Sequence, residues 1–355
     1  MDEQVSRQKL GRVAVGRIRF EDNGWDDYLV RFRVGDRKLI ASVRQSGVVE
    51  PIVVEEWKGG YRVISGFARA AAAREAGIAE LAALIYGEGA LSAKEAYLIA
   101  VAANAPGSTL SDADRAIAIV RGAETAGLGE ERLAREVLPL LGLPASWKVV
   151  REFLAIGRLP RVILAALTEG EISREHAEAL LLLQADEKEW FFAEGVKALR
   201  LSAGDTRVVV EAALDIAARE GRTAREVFSE ALGIAGKEAP AGNADEAGAV
   251  RRKKARVKEI LFRRMRPVLA EMEDAFREIV REISLPAGAE IRHSENFETD
   301  EIEIAVKAKD AEVFEKLKSA IERGMATGAF ERMMSIAHRK AEERSGRRRH
   351  ADKGD

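Results

Sequence analysis

Two stretches of this chain carry residue types and spacings suited to chemistry on a polyanion. The first is Gly66-Phe67-Ala68-Arg69, which follows the β-rich run Tyr61-Arg62-Val63-Ile64 and opens an Ala-rich helix reaching Ala76. A strand that ends in glycine ahead of a helix presents unpaired backbone N–H groups and a positive dipole end to an anion, and Arg69 adds a cation. The plain structural reading of the same glycine is a tight turn that needs room where a Cβ would sit. The second stretch runs from Glu130 to Ile156. Leu133-Ala134-Arg135-Glu136-Val137 forms one helix, Gly142-Leu143-Pro144 a turn, and Ser146 to Ile156 a second helix, which is helix-turn-helix spacing. With the second helix in a major groove, Ser146, Trp147 and Lys148 face base edges, and Arg151, one turn on, reaches a base or a phosphate. The competing reading packs Trp147 into the helical core and leaves the charges solvated.

Composition removes several other chemistries. The 355 residues include no cysteine, which excludes disulfides, thiolate metal sites and cysteine nucleophiles. The four histidines, at 176, 293, 338 and 350, are too scattered for a histidine-rich metal site, so no metal ligand and no catalytic residue is assigned. His176 has no Ser or Asp partner in view and reads as structural, with Ser173 as the N-cap of its helix. The 57 Lys and Arg balance 59 Asp and Glu, a net charge of −2 that speaks against a uniformly basic coat but is silent about local patches. Pro144 to Arg161 holds four Lys/Arg against one acid, and Arg251 to Arg266 nine against the single Glu259. That second run reads either as a solvated charged segment or as a non-specific DNA contact. No stretch of 18 apolar residues occurs and the start is acidic, so neither a membrane span nor a secretory leader is expected. A cytoplasmic protein is the expectation.

These residues need elements to hold them. Val13-Ala14-Val15 leading to Ile18, Pro51 to Val54, Tyr61 to Ile64 and Leu81 to Tyr86 read as strands, with Lys58-Gly59-Gly60 as a hairpin turn. Arg37 to Ser46 and Phe67 to Ala76 read as helices, the latter closed by Gly77. From Leu91 to about Gly236 the pattern is helical, with capping boxes at Ser92/Glu95 and Thr223/Glu226. Glycines at 127, 142, 157, 170, 204 and 221 read as helix punctuation. Lys237 to Gly248 reads as a flexible linker. Beyond the basic run, an amphipathic helix carries Val268, Leu269, Met272, Phe276, Ile279 and Ile283. Strands around Glu290–Arg292 and Glu301–Val306, then helices around Glu312–Ile321 and Phe330–Glu343, precede the Arg347–Arg349 tail.

In order and spacing the blocks from Ser42 to Ala177 resemble the ParB family. Its N-terminal domain, of the ParB/sulfiredoxin fold, has a helix ending in Gly, a PIxV strand (here Pro51-Ile52-Val53-Val54), and a Gly-Glu-Arg-Arg-x-Arg-Ala turn matched by Gly66 to Ala72. Downstream, Leu159-Pro160-Arg161-Val162 and Gly170-Glu171-Ile172-Ser173-Arg174-Glu175-His176-Ala177 match the blocks that follow the family's helix-turn-helix. The resemblance implies a nucleotide pocket of CTP type with Mg²⁺, holding phosphates at Gly66 and Arg69. Of a second motif, Glu-Asn-x-x-Arg, only Asn104 survives within Ala103 to Gly107. The motif's acid is Phe67 here and its first Arg is Ala68, so weakened or absent hydrolysis is expected, with residual CTPase activity at most.

The expected architecture is a mostly helical α+β multidomain chain: an α/β domain over 1–90, a helical domain over 91–236 with its helix-turn-helix near 130–156, a linker over 237–250, and a basic helix with an αββα dimerisation-like module over 251–355. The expected function is sequence-specific binding of double-stranded DNA in plasmid or chromosome partitioning or transcriptional regulation. With it go a nucleoid-associated location, a homodimer and a Walker-type partition ATPase as partner. Two alternatives stay open: a kinase-like nucleotide-dependent enzyme on the same fold, and a regulatory adaptor without nucleotide.

Overall fold

The computed structural model describes residues 8–20, 28–31, 37–104, 110–237, 246–294, 297, 299 and 301–336. Its contacts divide the chain into two compact units, Met1–Lys254 and Ala255–Asp355.

The first unit begins with strands β1 (Gln8–Ala14), β2 (Ile52–Trp57), β3 (Gly60–Ser65) and β4 (Glu80–Tyr86), ordered β1-β4-β2-β3. β4 runs antiparallel to β1 and parallel to β2, while β2 and β3 form a hairpin. Two-residue periodicity places Leu81, Ala83 and Ile85 of β4 inside. The hairpin turns on Lys58 (φ 48°) and Gly59 (φ 73°), the pair of left-handed residues that suits the twist of the flanking strands. Its tip is tied down from the N-terminal side: Arg17 donates to the Gly59 carbonyl at 3.2 Å and Arg19 to the Lys58 carbonyl at 3.0 Å. Inside the hairpin Glu55, 2% exposed, pairs with Arg62 at 2.7 Å, and the guanidinium lies near the rings of Tyr28 and Trp57. Helix α1 (Arg37–Ser46) packs on α2 (Phe67–Glu75), which carries the chain from β3 to β4.

Packing continues without a break across residue 90, because α3 (Ala93–Asn104) lies on β3. The Ser92/Glu95 and Thr223/Glu226 boxes form as expected, with both reciprocal bonds present in each. Helix α4 (Asp112–Glu124) starts with a further box, Ser111/Asp114. There follow α5 (Glu130–Arg132), which runs on through a π turn (Leu133–Val137) and a 3-10 turn (Leu138–Leu141), then α6 (Trp147–Gly157), α7 (Arg161–Thr168) and α8 (Arg174–Leu181). Helices α9 (Lys188–Phe191), α10 (Ala203–Glu220) and α11 (Ala224–Lys237) follow. One of the expected helix-ending glycines, Gly204, lies instead at a helix start, and Gly157 does more than end a helix. Gly204 lies in the first turn of α10, and Gly157 is the last residue of α6, where a Cβ would come 2.6 Å from Val120 Cγ2 and 2.9 Å from the Ala116 carbonyl oxygen. Gly157 therefore permits a close crossing of α6 over α4. On the same helix Gly122 leaves room for Tyr97, whose buried hydroxyl donates to the Ala118 carbonyl at 2.8 Å. Burial pushes that hydroxyl's pKa above its usual value.

The linker expectation needs correction at both ends. Lys237 belongs to α11 and residues 246–250 to α12 (Glu246–Met265); 238–245 lie outside the described residues. The basic run is helical up to Met265, and Pro267 starts a separate helix, α13 (Pro267–Ile283), because proline cannot donate to the preceding turn. In the second unit α13 packs with β5 (Ala289–His293), β6 (Ile302–Val306), α14 (Glu312–Ala326) and residues 329–336. β5 and β6 pair antiparallel, and the core gathers Leu269, Met272, Phe276, Ile279, Ile283, Ile291 and Phe297. Val268, expected on the apolar face of α13, is 51% exposed. The Arg347–Arg349 tail, His338 and His350 lie outside the described residues.

Replacing Gly157 with alanine should destabilise the first unit by about 1–3 kcal/mol, since Val120 and the α4 backbone must move to admit one methyl group. Urea denaturation of the purified chain followed by circular dichroism measures it; an unchanged midpoint would show that the crossing has slack.

Candidate functional site

The 3-10 turn before α6 closes on Gly142 (φ 69°), whose N–H donates to the Pro139 carbonyl at 3.2 Å, while the Leu143 N–H donates to that of Leu138 at 2.9 Å. The chain then re-enters helix at Trp147. Ser146 is the N-cap, but its hydroxyl makes no capping bond. Apolar residues at helical spacing, Val150, Phe153 and Ile156, are buried, and α6 packs against α4 and the Glu130–Val137 segment. The opposite side is left to Trp147, Lys148 and Arg151. Trp147 is 60% exposed, so the core-packing reading of this tryptophan is the one the fold rejects.

Arg151 does not stand alone. Its Nε donates to both carboxylate oxygens of Glu130, at 2.8 and 3.0 Å, and its guanidinium carbon lies 4.9 Å from the centre of the Trp147 ring. Glu130 escaped the sequence reading because it sits 21 residues away on another helix, with no periodic relation to Arg151. Glu152, next along α6, faces α8: Arg174 Nε lies 3.4 Å from it and 3.3 Å from Glu178. Burial first, then the hydrogen bond with Glu178, raises the Glu152 carboxyl above the usual carboxylate range, opposed by Arg174 and Lys148. The exposed face of α6 thus offers one aromatic ring and two cations, the kinds of side chain that meet base edges and phosphates.

The glycine turn is built differently. Gly66 caps α2 at φ 94°, and a Cβ there would come 2.7 Å from Ile52 Cγ2. Phe67 is buried at 5% exposure, a ring packed where the resemblance puts an acid. Arg69 Nη1 donates to the Glu50 carbonyl (3.0 Å), the Glu50 carboxylate (3.0 Å) and the Pro51 carbonyl (3.1 Å). This arginine clips the entry of β2 to α2. Asn104 is the last residue of α3, the helix that packs on β3, and its Nδ2 donates to the Ala100 carbonyl of its own helix at 2.7 Å. Ala105 to Gly107 lie outside the described residues. For CTP with Mg²⁺ the donor set fits poorly: the Glu50 carboxylate beside the turn is taken up by Arg69, and among the described residues no group of three His, Asp or Glu could hold a metal.

His176 is structural. Its Nδ1 accepts from the Ser173 N–H at 3.2 Å and its Nε2 lies 3.2 Å from the Leu201 carbonyl, so a ring protonated at Nε2 satisfies both. The ring joins the start of α8 to the segment that leads into α10.

Several known proteins resemble this chain. Residues 37–104 match the family model of the ParB N-terminal domain. The chromosome-partitioning protein Spo0J of Thermus thermophilus is 32% identical over 161 residues, 44% of this chain and 55% of that protein, so the chain spans about half the length of this relative. A nucleoid occlusion protein of Geobacillus thermodenitrificans is 28% identical over 199 residues, covering 56% of this chain and 68% of its own length. Among solved structures, the C-terminally truncated chromosome-partitioning protein ParB from Caulobacter crescentus, complexed to the centromeric parS site, aligns with a TM-score of 0.33. Its identity is 17%, over 57% of this chain and 98% of that one, too distant to bear on function.

Arg69→Ala should cost about 1–2 kcal/mol, because the Glu50 and Pro51 carbonyls lose a charged donor. Denaturation midpoints of the variant test this, and a midpoint equal to wild type would mean the clip carries no stability.

Proposed function

We propose that this chain, whose residues 37–104 match the ParB N-terminal domain, is a ParB-family protein that binds double-stranded DNA sequence-specifically in chromosome or plasmid partitioning, reading its site with α6. The observation that carries this reading is the exposed row Trp147, Lys148 and Arg151 on a helix whose other side is locked against α4. Ser146 supports it as an N-cap whose hydroxyl makes no capping bond. The names of the relatives, a chromosome-partitioning protein and a nucleoid occlusion protein, place their own activity on the chromosome, in keeping with a nucleoid-associated role here. No helix among the described residues is long and apolar enough to cross a membrane.

The glycine turn fits a nucleotide pocket that has lost its hydrolytic chemistry. The first N–H groups of α2 remain a polar end for phosphate. Phe67 supplies no metal ligand, and Arg69 Nη1 is engaged with Glu50 and Pro51. We read Gly66, Arg69 and Asn104 as a degenerate CTP-type site and assign no catalytic residue. In the kinase-like alternative the acid beside the turn, Glu50, is bound to Arg69, and the exposed face of α6 has no use. The αββ element order of 267–306, with α14 after it, suits a homodimerisation module, and a Walker-type ATPase is the partner class to seek.

A K148A/R151A double variant should lose affinity for a duplex selected by the wild-type chain from a random pool by roughly tenfold or more, while binding to a scrambled duplex falls less. Fluorescence anisotropy against both duplexes at fixed salt decides it: wild-type affinity for the selected site would remove α6 from the DNA. Separately, CTP with or without that duplex should release little phosphate; robust DNA-stimulated release would overturn the degenerate-site reading.

A further inference from the structure

We propose that Glu130 is a positioning residue for DNA recognition. It holds the Arg151 guanidinium by its Nε edge, so that Arg151 works as an oriented hydrogen-bond fork and not as a bulk cation. The proposal rests on the DNA-binding reading of α6.

Three observations carry it. The contact is two-fold, Nε to both Glu130 oxygens at 2.8 and 3.0 Å, and no other acceptor among the described residues takes an Arg151 donor, so both Nη groups remain for a ligand. The Trp147 ring backs the guanidinium at 4.9 Å, fixing its plane from a second direction. The two partners stand on different helices of the helix-turn-helix, 63% and 42% exposed, where an ion pair contributes little to stability. Glu130, Ser146 and Trp147 line the groove between these helices. An arginine presented edge-on by a carboxylate keeps its paired Nη donors, the pattern that meets O6 and N7 of guanine in a major groove. The same carboxylate cancels the charge that would otherwise attract any phosphate. Glu130 thus raises the ratio of specific to non-specific binding from both sides.

Two conservative variants separate orientation from charge. E130Q removes the charge. The slope of log affinity against log salt should steepen by up to about one unit on the selected and the scrambled duplex alike, and the specificity ratio should fall roughly tenfold. E130D keeps the charge on a shorter arm, so the ratio should fall with the slope unchanged. Thermal melting of the full chain verifies that both variants fold. If E130Q leaves the ratio at its wild-type value, or shifts both duplexes in parallel, Glu130 has no such role. R151A supplies the control. Loss of the selected site in R151A with a wild-type ratio in E130Q overturns the role of Glu130 alone, whereas wild-type binding by R151A removes the α6 reading as well.

Discussion

The close crossing of α4 and α6 governs what the first unit can present to a partner. At Gly157 the two backbones approach so nearly that a Cβ would touch the Ala116 carbonyl and Val120. Such a contact fixes the position and the rotation of a helix, together with Val150, Phe153 and Ile156, which are fully buried in the close-packed core. With those three inside, the 3.6-residue period leaves Trp147, Lys148 and Arg151 outside. The exposed row is therefore a consequence of packing, and its aim is set by a glycine ten residues beyond Trp147.

A second fixed point lies at the other end of the unit. Gly66 and Arg69 serve the sheet before they serve any ligand: the glycine admits Ile52, and the arginine gathers Glu50 and Pro51 at the mouth of β2. With Phe67 buried among these elements, the turn has become part of the core on one side. Chemistry that needs an acid and a free cation at this place finds Glu50 and Arg69 already bound to each other, whereas the backbone N–H groups of the helix start survive any substitution except proline.

Charge follows the same logic of local commitment. The net −2 of the chain conceals segregation, yet the basic segments are partly neutralised by their own neighbours. Arg151 is held by Glu130, Lys254 meets Asp205 at 3.4 Å, and Arg263 pairs with Asp274. A count of Lys and Arg along the basic run overstates its free charge. What matters to a polyanion is which cations stay unpaired or pair in a way that leaves donors outward.

Much of this was legible in the sequence. Strand alternation, the Lys58-Gly59 hairpin, both capping boxes and the Gly142 turn are local signals, set by residues within a few positions of each other, and they appear where the chain places them. The order of blocks from Ser42 to Ala177 also pointed to the family. Tertiary structure alone decided the rest, because it depends on pairs that are distant in sequence. It made Gly157, which ends α6, also the site of a helix crossing, and made residues 246–250 helical. It put Trp147 on the surface, although one tryptophan on a helix fits either face by its own chemistry. It also brought Glu130 to Arg151, since a turn closed by Gly142 folds one helix back on the other, and no spacing rule in the sequence records which carboxylate that places beside which arginine.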